Sequence, residues 1–416
     1  MITWYYLTDC FRRFEYCGFM TGLEPEKNLF TGKEKDMDFK LPPEDLEIIE
    51  MVREFCLKEV QPVAARLDEE EKFPAEAISQ LAEMGILGLP FPEEYGGSGL
   101  SYLTYAATVE EIARHCASTS ITVSAHCSLC CGPINEFGTD EQKQKYLTPL
   151  AKGEHLGALG LTEPNAGTDA ANQKTMADDK GDYWLINGSK IFITNGGQAD
   201  TYVITAVTDK EAGHRGVSMF IIEKDFPGFS IGTKEKKMGI RASSTTELIF
   251  EDMKVPKENL LGKPGKGFAQ GLMTLDGGRI GVAAQALGIA QIAIEECIKY
   301  TSQRIQFNQP ISRFQNTQFE LADMTTKVEA ARLLVYRAAQ AKQDHEPYSH
   351  LAAQAKLFAA ETASDVTRRC LQLAGGYGYI REYPFERFMR DAKITEIYEG
   401  TSEVQKMVIA NYLGLK

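Results

Sequence analysis

Asp391-Ala-Lys-Ile-Thr-Glu-Ile-Tyr-Glu-Gly-Thr-Ser-Glu-Val-Gln405 joins two helical patterns near the end of the chain, and the rest is read outward from it. Ser402 and Gln405 have the Ser-x-x-Gln spacing of a capping box, so a helix is expected to start just after Gly400. Gly400 allows a tight or left-handed backbone at that point. Glu399 then stands on the turn that enters the helix, beside Tyr398. A carboxylate on such a turn can be aimed at a ligand. It can equally be a solvated anion favoured by the positive end of the helix dipole. Spacing alone leaves both readings open.

The nine residues from Ile397 to Gln405 resemble the C-terminal signature of acyl-CoA dehydrogenases, above all the short-chain, butyryl-CoA type of anaerobic bacteria. The resemblance implies that Glu399 is the base that removes the α-proton of an acyl-CoA thioester. It also assigns Gly400 to the substrate and Thr401 and Glu403 to the cofactor.

Length and composition agree with such an enzyme. The chain has 416 residues, enough for two or three domains, with 43% hydrophobic and 25% charged residues. A net charge of −13 argues against a nucleic-acid partner, which would require clustered Lys and Arg. No apolar run is expected to reach the length of a membrane span. The nine cysteines are odd in number and irregular in spacing, which indicates reduced thiols rather than a secreted disulfide framework, and so a cytoplasmic, bacterial protein. His126-Cys-Ser-Leu-Cys-Cys131 lacks a second Cys/His pair and reads as core, with no metal site.

Residues 1–36 fall outside the resemblance and are expected to be a disordered extension. Residues 37–155 read as a helical domain. Pro42-Pro-Glu-Asp45 opens one helix, Pro74 to Leu87 forms a second, and Glu110 and Glu111 precede an apolar helical stretch to Phe137. Thr139-Asp-Glu-Gln142 is a further capping box. From about 156 the hydrophobic period changes from helical to alternating. Trp184 to Gly188 ends in an Asn-Gly hairpin signal, and Thr201–Val207, Val217–Glu223 and Thr245–Phe250 read as strands, giving a β domain over residues 156–266. Residues 267–416 are helical again, with long segments near 268–301, 313–343 and 348–374. The fold class is α+β, in the helical, sheet and helical-bundle order of the acyl-CoA dehydrogenase fold.

No Gly-x-Gly-x-x-Gly follows a strand and no Walker loop is present, so a Rossmann-type site is not expected. Leu159-Gly-Leu-Thr-Glu-Pro-Asn-Ala-Gly-Thr-Asp169 instead resembles the family's flavin-binding strand and loop. The resemblance implies FAD as cofactor, with contacts from Leu159, Leu161, Thr162 and Thr168, the last also reaching the substrate. Phe192, Ile193 and Thr194 match a segment that faces the flavin, although taken alone Phe192 reads as strand core. Arg304, Phe307 and Gln315 match a motif that reaches the FAD of a neighbouring subunit, and Gln372, Gly375 and Gly376 match a turn at its adenosine end. Sites shared between chains imply an oligomer, in this family usually a homotetramer.

Thr274-Leu-Asp-Gly-Gly-Arg279 matches a helix start that contacts CoA, with Asp276 and Arg279 as the polar candidates. Without the resemblance the two read equally well as an i,i+3 ion pair. Some family members carry the base at the position of Gly278, so here Glu399 is the family-matched base. The implied reaction is dehydrogenation of a short-chain acyl-CoA, or its reverse, with electrons exchanged with electron-transferring flavoprotein. An oxidase, a relative acting on dicarboxylic or cyclic acyl-CoAs, and a non-catalytic homologue are the alternatives.

Overall fold

The computed structural model describes residues 41–415; the extension expected over residues 1–36 lies outside them. Pro42 caps α1 (Pro43–Phe55), which continues through a π-helical turn into α2 (Gln61–Glu70). The helix expected from Pro74 is shorter than its pattern: α3 (Ala75–Glu83) stops before Gly85, whose φ is 76°. Glu110 and Glu111 do not precede a helix. They lie inside α4 (Tyr102–His115), capped by Ser101. The apolar stretch beyond is not continuous, because Cys116 is extended (φ −155°, ψ 109°) and separates α4 from α5 (Ala117–Ala125). A π-helical turn leads into α6 (Gly132–Phe137). The Thr139 capping box forms with both of its bonds at the start of α7 (Asp140–Gln142), and α8 (Thr148–Ala151) completes the segment. His126 is used structurally. Its Nδ1 accepts from the Gly157 N–H at 2.9 Å and its Nε2 donates to the Leu150 carbonyl at 3.1 Å.

The middle of the chain builds a sheet from β1 (Gly157–Gly160), β2 (Met176–Asp179), β3 (Tyr183–Thr194), β4 (Thr201–Val207), β5 (Val217–Glu223), β6 (Phe229–Lys234), β7 (Thr245–Pro256) and β8 (Leu260–Leu261). The order is β6-β7-β3-β2-β4-β5-β8, with β1 parallel to β4. Asn187-Gly188 is not a hairpin turn. It lies within β3, where the register against β7 shifts between Ile186 and Gly188 and Gly188 has φ 143°. A Cβ at Gly188 would stand 2.6 Å from Thr175 Oγ1, so the glycine serves a bulge closely covered by the neighbouring strand. A second bulge, between Lys190 and Ile193, reappears in the site below.

α9 (Gly267–Gln303) follows the sheet and runs through the middle of the molecule. A short hairpin, β9 (Ile305–Gln306) and β10 (Gln309–Pro310), leads to α10 (Gln315–Gln343), α11 (Ser349–Ala374), α12 (Phe385–Ile394) and α13 (Ser402–Tyr412). Among the described residues α9 is long and apolar enough to cross a membrane, contrary to the sequence expectation. The reason is its place: 83% of its most apolar window is buried inside the protein, and a helix covered on all sides needs no polar face. One core cluster joins residues of the N-terminal helices, α9 to α12 and one side of the sheet (Val203, Met219, Ile221). A second cluster, including Trp184, Phe220 and Phe250, fills the other side of the sheet.

Candidate active site

Glu399 and Gly400 both have positive φ, 53° and 93°, between the end of α12 and the start of α13. The cap of α13 is one residue earlier than its sequence pattern suggests. Thr401 accepts from the Val404 N–H at 3.4 Å, and Ser402 is already helical. Gln405, expected to complete that box, turns back instead. Its Nε2 donates to the Gly400 carbonyl at 2.7 Å and approaches the Glu399 carbonyl at 3.4 Å. The Gly400 carbonyl takes a second donor, Lys356 Nζ of α11, at 2.7 Å. Tyr398 is fixed by its hydroxyl on Gln285 of α9, which in turn donates to the Ala117 carbonyl at 2.8 Å.

This turn holds the Glu399 side chain against α9. The residue is partly accessible, but Oε2 is out of solvent and has no hydrogen-bond partner. Burial pushes its pKa up to about 7, against the pull of Lys356 and Arg279. A Cβ at Gly278 would lie 2.0 Å from Oε2 and 2.7 Å from Leu129 Cδ2, so position 278 and Glu399 address the same point in space. Arg279 is buried and ion-paired with Asp276, three residues earlier on α9. The i,i+3 pair therefore forms, and the Glu399 carboxylate supports the charge of Arg279 against its burial.

A second group of expected residues gathers on the sheet. The Ile191 N–H donates to the Thr162 carbonyl at 2.9 Å, which brings the Leu159–Thr168 segment against β3. Phe192 is not strand core. It stands in the second β3 bulge with φ 60° and is 60% exposed. Thr162 and Thr194 are half-buried and Thr168 is exposed. Leu159 and Ile193 point into the core, so only their backbone can face a ligand. Asn195 ties this group to α5, its Nδ2 donating to Thr122 O at 3.0 Å and to Gly157 O at 3.1 Å. Two residues on, Ser124 packs against α9 at Gly281, so α5 connects the sheet group to the Glu399 group.

A third group is separate. Arg304, at the end of α9, and Gly375 and Gly376, after α11, line a surface cleft of about 390 Å³ with Tyr300 and Tyr377. Phe307 and Asn308 form the tip of the β9–β10 hairpin with φ 52° and 61°, and Phe307 is 87% exposed. Gln315 and Gln372 are exposed nearby in sequence to these elements, and Glu403 is exposed on α13. Two positions escape a sequence reading, Lys190 and Lys356, while Gln405 is read there only as part of a helix cap. Lys190 and Lys356 are fully buried. Lys190 Nζ bonds Glu163 Oε1 at 2.7 Å, Gln173 Oε1 at 2.9 Å and the Leu161 carbonyl at 3.2 Å, directly behind Thr162. The only signal for Lys356 is a lone cation inside the alanine-rich run Leu351 to Ala360.

The helix–sheet–helix chain thus shields the Glu399 carboxylate, whose pKa burial raises to about 7, and leaves the Phe192 ring exposed on the adjoining sheet. Family models for the N-terminal, middle and C-terminal domains of acyl-CoA dehydrogenases match residues 42–154, 158–253 and 265–414, and the chain belongs to that family. It is 59% identical to the short-chain specific acyl-CoA dehydrogenase of Clostridium acetobutylicum, over 90% of this chain and 99% of the relative. It is similar to the solved butyryl-CoA dehydrogenase of Megasphaera elsdenii, with 51% identity, a TM-score of 0.90, and 91% of this chain and all of the other covered. A further solved chain, from work on the electron transferring flavoprotein of Acidaminococcus fermentans and flavin-based electron bifurcation, is 54% identical with a TM-score of 0.90, covering 91% of this chain and 99% of that one.

Proposed function

We propose that the chain is a FAD-dependent dehydrogenase of short-chain acyl-CoA, forming the trans-2-enoyl-CoA or running the reverse reduction. Electron-transferring flavoprotein is its proposed electron partner, and a homotetramer in a bacterial cytoplasm its proposed form. The observation that carries the proposal is the Glu399 carboxylate, with its shielded, unpartnered Oε2 and a pKa of about 7. A general base works best with a pKa near the operating pH, and an apolar acyl chain seated beside it would displace water and favour proton uptake.

In this reading Glu399 takes the α-proton of the thioester. The Glu399 N–H meets no backbone carbonyl among the described residues and is suited to the thioester oxygen as negative charge develops there. Arg279 and Asp276 meet the CoA arm, with Thr168 at the loop and Gly400 beside the reacting carbons. FAD, when bound, supplies the two-electron acceptor for the β-hydride. The residues present suit it: Phe192 and Thr194 offer an aromatic face and a hydroxyl beside Thr162. The Arg304 cleft, where added Cβ atoms at Gly375 and Gly376 would meet nothing within 4 Å, leaves room for the dinucleotide of a neighbouring copy. A guanidinium fork is matched to a pyrophosphate.

The test is Glu399→Gln, nearly isosteric and unable to accept a proton at neutral pH. Flavin bleaching by butyryl-CoA under anaerobic conditions should fall by at least the roughly 10² to 10⁴-fold of a general base. CoA affinity should persist. Reduction within a few-fold of the wild-type rate would refute the base assignment.

A further inference from the structure

The Glu399–Gly400 turn depends on a buried cation that the reaction as described leaves without a role. Lys356 lies midway along α11 and has no exposed surface. Among the described residues no carboxylate pairs with it, and its Nζ bonds the Gly400 carbonyl at 2.7 Å. Gln405 Nε2 meets the same oxygen at 2.7 Å, so both lone pairs of one carbonyl are engaged. Rotation of that peptide would break both bonds at once. The peptide follows two residues in the left-handed region, one of them a glutamate, and that geometry persists only where surrounding structure holds it.

The charges around Glu399 are few. From α9 come Arg279 and Asp276, already paired with each other. Beyond them Lys342 rests over the Tyr102 ring at 4.2 Å and the Tyr348 ring at 5.4 Å. From α4 comes Tyr105, whose hydroxyl bonds Ser124, and from the turn itself Tyr398, bonded to Gln285. On the Lys356 side, Glu396 is paired with Lys393 and Glu403 is exposed. Burial draws Lys356 down to about 8, with Glu399 pulling the other way, so the amine is still mostly protonated at neutral pH. Of the charges acting on Lys356 the Glu399 carboxylate is the largest, with Glu396 and Glu403 adding to it and Arg279 opposing it.

We propose that Lys356 is a positioning residue of the dehydrogenation: its ammonium locks the Gly400 carbonyl, so fixing the turn that aims Glu399, and serves as the counter-charge that keeps the carboxylate ionised and ready to take the proton. The inference rests on Glu399 being the base.

The experiment compares flavin-loaded wild type, Lys356→Met and Lys356→Arg by the pH profile of kcat/KM for butyryl-CoA with a dye acceptor, alongside flavin content and thermal midpoint. Loss of the counter-charge should move the acid limb of Lys356→Met upward by about one pH unit or more. Part of its lost rate should return at high pH, and Lys356→Arg should keep the limb near the wild-type position. A purely structural lysine would lower flavin content or midpoint and leave the limb in place; a limb of Lys356→Met coincident with wild type overturns the proposal. Should Lys356→Met not hold flavin, Lys356→Gln, neutral but still a donor, is read by the same limb. Failure of the base assignment is seen separately, as retained turnover in Glu399→Gln.

Discussion

Gly278→Ala separates catalysis from stability at one methyl group. The added Cβ would stand 2.0 Å from Glu399 Oε2 and 3.0 Å from its Cδ, and 2.7 Å from Leu129 Cδ2. A comfortable carbon contact is roughly 3.5 Å or more, so the carboxylate must retreat by more than about 1 Å. A displacement of about 1 Å in a reacting group costs on the order of 10²-fold, or about 2.7 kcal/mol of barrier. The fold is affected differently. Position 278 is inside α9, where Ala is favoured over Gly by roughly 0.5–1 kcal/mol, while overpacking costs about 1–3 kcal/mol. The net effect on stability is therefore between about zero and about 2.5 kcal/mol unfavourable, toward the low end because the group that must give is the free end of a side chain. Stopped-flow reduction of the bound flavin by butyryl-CoA, with thermal unfolding of the same preparation, reads both. Reduction within a few-fold of wild type in a fully flavin-loaded Gly278→Ala enzyme would refute the placement of Glu399 against α9.

Wild-type kcat/KM should fall as pH drops below about 7, since Glu399 must be ionised to accept a proton and burial holds its pKa there; a limb near 4.5 in a profile of the free enzyme would contradict the burial argument. Arg304→Ala should weaken FAD retention and the oligomer together, read by flavin absorbance and sedimentation, whereas full occupancy in an unchanged tetramer would remove the cross-subunit reading. Lys190→Met should cost roughly 3–5 kcal/mol in urea unfolding, because it leaves the Glu163 carboxylate buried without its cation; a loss under 1 kcal/mol would mean that the pair contributes little.

The long helices α9, α10 and α11 were legible to within about two residues because each is a long run without strand-like alternation, bounded by turn residues such as Gly267, Pro310, Pro347 and Gly375. Local signals served less well where two structures share one composition. Asn187-Gly188 favours a tight turn, yet the same conformational freedom suits a bulge, and pairing with β7 decided for the bulge. The Ser402–Gln405 spacing was a sound capping pattern, but Thr401 supplied an equivalent hydroxyl one residue earlier and Gln405 was drawn to the Gly400 carbonyl. β2 and β6 were missed because both are short and partly exposed, with little apolar alternation. Phe192 read as core because an aromatic residue in a β-branched stretch normally is; only the positive φ of the bulge turns it outward. Glu399 is singled out by its neighbours in sequence, which resemble a family signature. Lys190 and Lys356 are not, since a lysine in a strand or helix is ordinarily a surface residue and its burial is decided by segments distant in the chain.

The shared core around α9 bears on how the molecule comes apart. Three family models divide the chain, but the first and last of these segments have no separate interior: Val109 and Ile112 of α4 belong to the same cluster as Ala283 and Leu287 of α9 and Val335 of α10. Removing either helical segment would strip the other of the surface that excludes water. Heating should therefore melt the two as a single cooperative unit, with the far side of the sheet, which has its own cluster, equipped to lag behind. A fragment ending near residue 155 would be expected to expose α4 and α5 and aggregate, however well its sequence matches a named module.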